Sequence, residues 1–81
     1  MTDITKHVLD EIAAEMARQD AKWGEQNHHS MMWLAILMEE VGEVAAAALQ
    51  ERKDGYRAEL IHVAAVAVAA VESFDRNEVG P

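Results

Sequence analysis

The stretch "MEEVGEVAAAALQERKDGYRAELIHVAAV", from Met38 to Val66, decides how this chain folds. Apolar residues recur through it every three or four positions, which is typical of amphipathic α-helices. Polar residues and Gly55 interrupt the pattern once, so the stretch predicts two helices joined by a short turn. Three acidic residues, Glu39, Glu40 and Glu43, lie in the middle of the first helical segment, and Glu59 opens the apolar run of the second.

The same periodicity predicts one more helix, N-terminal to this stretch. The expected helices cover residues 4–21, 31–52 and 56–75 of a single domain that spans residues 1–81. Thr2 or Asp3 is the expected N-cap of the first helix and Ser30 that of the second, because short polar side chains accept hydrogen bonds from the free N–H groups of a first turn.

The chain is small for a self-sufficient core. It has 81 residues, of which 51% are apolar, and a domain of this size buries only about 60% of its unfolded surface. The third helix is apolar nearly all round and must be covered on several sides. We therefore expect an all-α protomer of three helices that forms a four-helix-type bundle by self-association, as a homodimer or a dimer of dimers. Gly42, which costs a helix about 1 kcal/mol relative to alanine, is expected where another helix approaches closely.

Charge and composition exclude several classes of partner. The chain has 7 Lys and Arg against 15 Asp and Glu, a net charge of -8, which argues against nucleic acid or an anionic membrane as the main partner. It has no cysteine for a disulfide or a zinc–thiolate site. The N-terminus lacks the pattern of a signal peptide, and the most apolar segment, residues 64–71, is far shorter than the ~20 residues of a membrane span. The expected location is the cytoplasm.

Acidic residues occur at a spacing that suits a cation site. Glu40 and Glu43 are an i,i+3 pair on one helix face, and Glu59 and His62 have the same spacing on the next helix. No lysine or arginine between Leu34 and Ala48 neutralises the first pair. Carboxylates that converge repel each other unless they are protonated or bridged by cations, and Mg²⁺ and Mn²⁺ prefer oxygen ligands. The simpler interpretation is a solvated acidic helix face.

The order "EEVGEVAAA…AELIHVAAV" resembles the all-α nucleoside triphosphate pyrophosphohydrolases of the MazG-like superfamily, which includes dCTP pyrophosphatases and dimeric dUTPases. Their signature is ExxE, a spacer and then ExxD. Residues 40–43, "EVGE", match the first half, and residues 59–62, "ELIH", match the second half except at His62. Residues 22–40, "KWGEQNHHSMMWLAILMEE", are similar to the family segment in which a tryptophan and a histidine help form the base pocket. The resemblance covers roughly residues 19–73.

This resemblance implies hydrolysis of a nucleoside triphosphate to the monophosphate and pyrophosphate, by water attack at the α-phosphorus, to remove non-standard or surplus nucleotides. The implied cofactor is Mg²⁺, or Mn²⁺, and the implied ligands are Glu40, Glu43, Glu59 and, in place of an acid, His62. Glu39 and Glu40 are the implied catalytic residues, with Glu39 orienting or deprotonating the water. The expected contacts to base and phosphates are Trp23, His28, His29, Trp33, Lys22, Lys53 and Arg57.

Several alternatives stay open at the level of sequence. His62 is a ligand that shifts the metal preference, or hydrogen-bonds a ligating glutamate or water, or marks a weakened site. Trp23 and Trp33 have packing as an alternative role, and His28 and His29 have that of ordinary loop residues. The rival functions are a non-catalytic helical oligomer that binds nucleotide or metal, and an antitoxin-like protein that binds a partner.

Overall fold

A computed structural model describes residues 1–77 of the chain. Its helices are α1 (Asp3–Trp23), α2 (Ser30–Leu49) and α3 (Lys53–Asn77), and no strand occurs in that range. The prediction of an all-α protomer with three helices is confirmed. Within these 77 residues, no helix combines the length and the apolar character that crossing a membrane requires.

The last helix, α3, packs against both of the others. Its contact with α2 is the more extensive one, and the backbones of α1 and α2 do not meet within residues 1–77. The arrangement is open, with a Cα radius of gyration of 13.5 Å, whereas a compact domain of this length has about 12 Å. Side chains from all three helices can therefore meet only along α3.

Two helix N-termini are capped by side chains. The hydroxyl of Thr2 accepts a hydrogen bond from the backbone N–H of Thr5 at 3.0 Å, which confirms Thr2 as the N-cap of α1. The prediction of Ser30 as the N-cap of α2 is wrong. His29 takes that position, since its ring nitrogen accepts a bond from Met31 N at 3.3 Å and Ser30 is already helical.

The connection between α2 and α3 lies earlier in the chain than the sequence predicts. The second helix ends at Leu49, three residues before its expected end, and the third begins at Lys53, three residues before its expected start. Glu51 has a positive φ of 55°, which ends the helical path. Gly55 lies in the first turn of α3 and not in the connection. The other helix ends agree with the prediction to within two residues.

The core of the protomer is small. The buried apolar residues are Trp33, Ala47, Ala65 and Val66. Large apolar side chains remain exposed along one side of α2 and one side of α3, and we call this surface the apolar face. It comprises Met31, Leu34, Met38, Val41 and Leu49 of α2 and Leu60, Val68, Val71 and Phe74 of α3. A Cβ on Gly42 would meet nothing within 4 Å, so the close approach predicted there is not made within the described protomer.

Hydrogen bonds fasten the loop between α1 and α2 to the end of α3. The backbone N–H of His28 donates to the buried hydroxyl of Ser73 at 3.3 Å. The guanidinium of Arg76 donates to Gln26 O at 3.2 Å and to Asn27 Oδ1 at 3.0 Å. These contacts set the position from which α2 starts, and with it the position of the residues on its first turns.

Candidate metal centre and adjoining cavity

Glu40, Glu59 and His62 meet at one point between α2 and α3, and we call them the acid–histidine cluster. His62 Nδ1 lies 3.3 Å from Glu59 Oε2 and 3.8 Å from Glu40 Oε2. One ligand atom from each residue lies within 4.8 Å of the other two. A single divalent cation can contact all three after small side-chain rotations, given metal–ligand distances of about 2.1 Å.

The electrostatics of the cluster favour an added positive charge. Burial raises the pKa of Glu40; His62 opposes this effect, whereas the charges of Glu59 and Glu39 add to it. Hydrogen bonding with Glu59 raises the pKa of the neighbouring Glu43, and the charges of Glu40 and Glu59 raise it further. The carboxylates thus carry more negative charge than their surroundings stabilise, which is the situation that a bound cation relieves.

One oxygen of Glu40 tests whether a cation fits here. Glu40 Oε2 is buried and has no hydrogen-bond partner among residues 1–77. His62 Nδ1, at 3.8 Å, is beyond hydrogen-bond distance from this oxygen. A buried acceptor without a partner is costly. The donor set of two carboxylates and one imidazole suits Mg²⁺ or Mn²⁺, with the nitrogen favouring Mn²⁺, so the residues present fit the cofactor that the sequence implies.

A third helix reaches the cluster through Glu15, a residue that the sequence analysis missed. Glu15 Oε2 lies 3.8 Å from His62 Nε2, on the opposite side of the ring from Glu59. Burial acts to raise the pKa of Glu15, but hydrogen bonds from Arg18 and Gln19 outweigh it and the pKa is lowered. The only signal in the sequence was the position of Glu15 at the edge of the apolar stripe of α1.

The other acidic and basic candidates are not part of the cluster. Glu39 is exposed beside Glu40. Arg57 donates two hydrogen bonds to the carboxylate of Glu11, at 2.6 and 2.7 Å, and so links α3 to α1. Lys53 begins α3 and lies in a shallow depression beside Tyr56.

A cavity of about 130 Å³ adjoins the cluster, and we call it the Trp33 cavity. Trp33, Ile36 and Val66 form part of its wall. Ile36 precedes Glu40 and Val66 follows His62 by four residues, so the cavity lies about one helical turn from the cluster along both helices. Its polar lining comprises Gln19, Asp20, Glu25, Gln26, Glu72 and Arg76.

Trp33 is 8% exposed, and its indole Nε1 has no hydrogen-bond partner in the described part of the chain. The ring of His28 packs against it edge-to-face, with centroids 4.9 Å apart. Trp23, by contrast, is 64% exposed and has Lys22 Nζ over its ring at 4.8 Å; neither of the two lines the cavity. His29 caps α2. Of the residues expected to contact a base, the structure places Trp33 at the cavity with His28 against it.

No protein-family model, no curated protein and no solved structure matches this chain. The geometry of the site therefore has to carry any functional conclusion.

What the geometry offers is a charged site and, about one helical turn away, a partly apolar cavity. A cation at the acid–histidine cluster can bind the oxygens of an anionic group, while the Trp33 cavity accepts an adjoining planar group. A phosphorylated ligand with an aromatic ring matches both parts.

Proposed function

We propose that the protein is a metal-dependent nucleoside triphosphate pyrophosphohydrolase that cleaves non-standard or surplus (deoxy)nucleotides to the monophosphate and pyrophosphate. The observation that carries the proposal is the convergence of Glu40, Glu59 and His62 around an unpartnered carboxylate oxygen. The resemblance of residues 40–43 and 59–62 to the ExxE and ExxD halves of the MazG-like signature supports it independently.

The residues of the site have two roles in this proposal: some bind the metal ion, and one accepts a proton from water. Glu40, Glu59 and His62 would hold Mg²⁺ or Mn²⁺, with the carboxylate of Glu43 next to Glu59. The bound cation supplies positive charge to the phosphate oxygens and lowers the pKa of water. Glu39, exposed beside the cluster, orients the attacking water and accepts its proton, as the bond between the α-phosphorus and the pyrophosphate oxygen breaks.

The Trp33 cavity receives the base. Its apolar wall suits the face of a planar ring, and the unpartnered indole N–H of Trp33, which is buried without a ligand, becomes a donor for a carbonyl oxygen of the base if the ring turns towards the cavity. Polar side chains at the rim, such as Gln19 and Glu72, are within the lining and can pair with other base edges. The base thus sets orientation while the cluster binds the phosphates.

Pyrophosphate release tests the proposal. Purified protein is incubated with Mg²⁺ or Mn²⁺ and a panel of standard and modified triphosphates, and the products are separated by chromatography. Wild type should form monophosphate and pyrophosphate, and Glu40→Gln should lower kcat by about a hundredfold, as the loss of a key electrostatic group does elsewhere. Asp75→Asn, which removes the same charge from an exposed site on α3, is the matched control. Release of inorganic phosphate alone, or of no product, would exclude this activity.

A non-catalytic nucleotide-binding module is the second candidate, because two of the arginines near the cluster are already paired. Arg57 is bonded to Glu11 and Arg18 to Glu15, which leaves fewer cationic side chains for a triphosphate. Such a module would be stabilised by nucleotide with Mn²⁺ but release no pyrophosphate, and Glu43→Gln would leave that stabilisation nearly unchanged.

We also propose that the apolar face is covered by a second copy of the chain. The accessible surface is 5871 Å², against about 4,900 Å² for a compact protein of this mass. The excess is similar to the ~800 Å² that one subunit contributes to a stable interface. Two copies that each supply α2 and α3 form a four-helix bundle. Glu40 lies about 180° around α2 from Met31, so the cluster stays clear of this contact.

A further inference from the structure

We infer that Glu15 is a positioning residue, which holds the ring proton of His62 on Nε2 and leaves Nδ1 free to bind the cation. The inference rests on the proposed function, since it concerns the same cluster. His62 lies between carboxylates on its two sides. Glu59 and Glu40 face Nδ1 at 3.3 and 3.8 Å, and Glu15 faces Nε2 at 3.8 Å, a separation that small side-chain rotations must shorten before a hydrogen bond forms. Glu15 lies outside both halves of the ExxE and ExxD pattern.

The role follows from which nitrogen of the His62 ring carries the proton. A neutral imidazole carries one N–H. In the absence of a cation, Nδ1 is within hydrogen-bond distance of Glu59. A cation shared by Glu40, Glu59 and Nδ1 needs the lone pair of Nδ1, so the ring proton must then be on Nε2. A metal-bound histidine generally donates its other N–H to a carboxylate or carbonyl, and Glu15 is the carboxylate on that side.

Glu15 is itself held in place by residues of α1. Arg18 Nη2 and Gln19 Nε2 donate to Glu15 Oε2 at 2.6 and 2.8 Å, and Arg18 Nε donates to Oε1 at 3.1 Å. Arg18 Nη2 also donates to Oε1 at 2.8 Å, so each oxygen of Glu15 has two donors, and a bond from His62 Nε2 to Oε2 has to replace or share one of them. A chain of contacts from Arg18 through Glu15 to His62 thus connects α1 to the cluster.

The arrangement also accounts for a histidine at a position where an acid is expected. A neutral ligand brings one negative charge fewer than an aspartate does. A carboxylate behind the ring makes the coordinating nitrogen more basic, and Glu15 supplies that carboxylate from a different helix. A ligand set of this kind favours Mn²⁺ over Mg²⁺.

Mn²⁺ binding measured by calorimetry, without nucleotide, tests the role of Glu15. We expect Glu15→Ala to weaken binding about tenfold, as the loss of such outer partners does at other sites. Glu15→Gln keeps an acceptor oxygen and should recover most of the affinity. Glu11→Gln removes the ion pair with Arg57 that links α1 to α3, and Glu11 does not contact His62. Because that ion pair is exposed and contributes little energy, its loss should change the affinity for Mn²⁺ less than about twofold.

Two further readouts separate positioning from a general effect on folding. In a His62→Asp background, Glu15→Ala should no longer weaken Mn²⁺ binding. Long-range ¹H–¹⁵N correlation spectra of the wild type with Zn²⁺ should place the ring proton of His62 on Nε2. Unchanged affinity in Glu15→Ala, an equal loss in both backgrounds, or a proton on Nδ1 in the Zn²⁺ complex would overturn the inference.

These readouts need no turnover. If they come out as expected and no pyrophosphate is released, the proposed function fails and the role of Glu15 stands. If pyrophosphate is released but Glu15→Ala binds Mn²⁺ as the wild type does, the proposed function stands and the role of Glu15 fails. A protein that binds no Mn²⁺ overturns both.

Discussion

At the scale of single residues, the ionised carboxylate of Glu40 destabilises the fold when no cation is bound. Burial and the neighbouring acids raise its pKa above the ordinary value of 4.5. A carboxyl group whose pKa is higher in the folded state binds more protons there than in the unfolded chain. The stability that it contributes is therefore full at acidic pH and is lost as the pH rises through the folded-state pKa.

Glu40→Gln should consequently melt a few degrees higher than the wild type at pH 7.5 in EDTA, a shift that corresponds to a modest change in stability for a domain of this size. The difference should shrink towards pH 4.5, where the wild-type carboxyl takes up its proton. Circular-dichroism melting curves from pH 4.5 to 8 measure both effects, with Asp75→Asn as the charge control. A variant that melts at or below the wild type at pH 7.5 would show that Glu40 is already satisfied without a cation.

Trp33 allows a second prediction at this scale. Its buried indole N–H has no partner in the described residues, so Trp33→Phe removes an unpaired donor while keeping an aromatic ring in the core. The melting temperature should change little, but KM for the preferred nucleotide should rise about two- to tenfold, the effect of losing one hydrogen bond. Tyr56→Phe removes a hydroxyl from an exposed ring outside the cavity and is the control. An unchanged KM would mean that the N–H does not contact the base.

At the scale of helices and connections, the backbone of the connection at residues 50–52 is strained. Glu51 has a φ of 55°, a conformation in which the Cβ of an L-residue is crowded and which glycine adopts without penalty. Glu51→Gly should stabilise the protein by roughly 1 kcal/mol, or about 4 °C in the melting temperature. Glu51→Ala removes the carboxylate but keeps the Cβ, and should show no such gain. Equal melting temperatures for the two variants would contradict a strained connection.

The same scale shows which parts of the site the sequence could predict. Glu40, Glu59 and His62 lie on two consecutive helices at regular spacings, so a turn that reverses the chain is enough to bring them together. Glu15 depends on the angle at which α1 packs on α3, a tertiary feature without a local pattern. The sequence mispredicts the position of the turn for a related reason. Gly55 is the usual signal for a break, whereas the chain reverses at Glu51, a residue type that rarely adopts a positive φ.

At the scale of the whole molecule, the distribution of apolar surface supports the proposal that the chain self-associates. Val71 is 61% and Leu49 86% exposed, and residues 1–77 include only four buried apolar residues. The exposed residues of α3 at positions 60, 68, 71 and 74 lie within one sector of the helix. The exposed apolar side of α2 borders them, and a groove lined by Leu34, Ala70 and Phe74 runs between the two helices. One continuous surface of this extent is characteristic of an interface.

Sedimentation velocity should therefore find the wild type as a dimer or larger at micromolar concentration. Val71→Glu places a carboxylate in the centre of the apolar face, and since burying an unpaired charge is costly, it should shift the protein to the monomer. Ala17→Glu adds the same charge to an exposed position of α1 and should leave the assembly intact. Helical content measured by circular dichroism separates dissociation from unfolding. A wild type that sediments as a monomer, or a Val71→Glu variant that stays assembled, would assign the apolar face to another role.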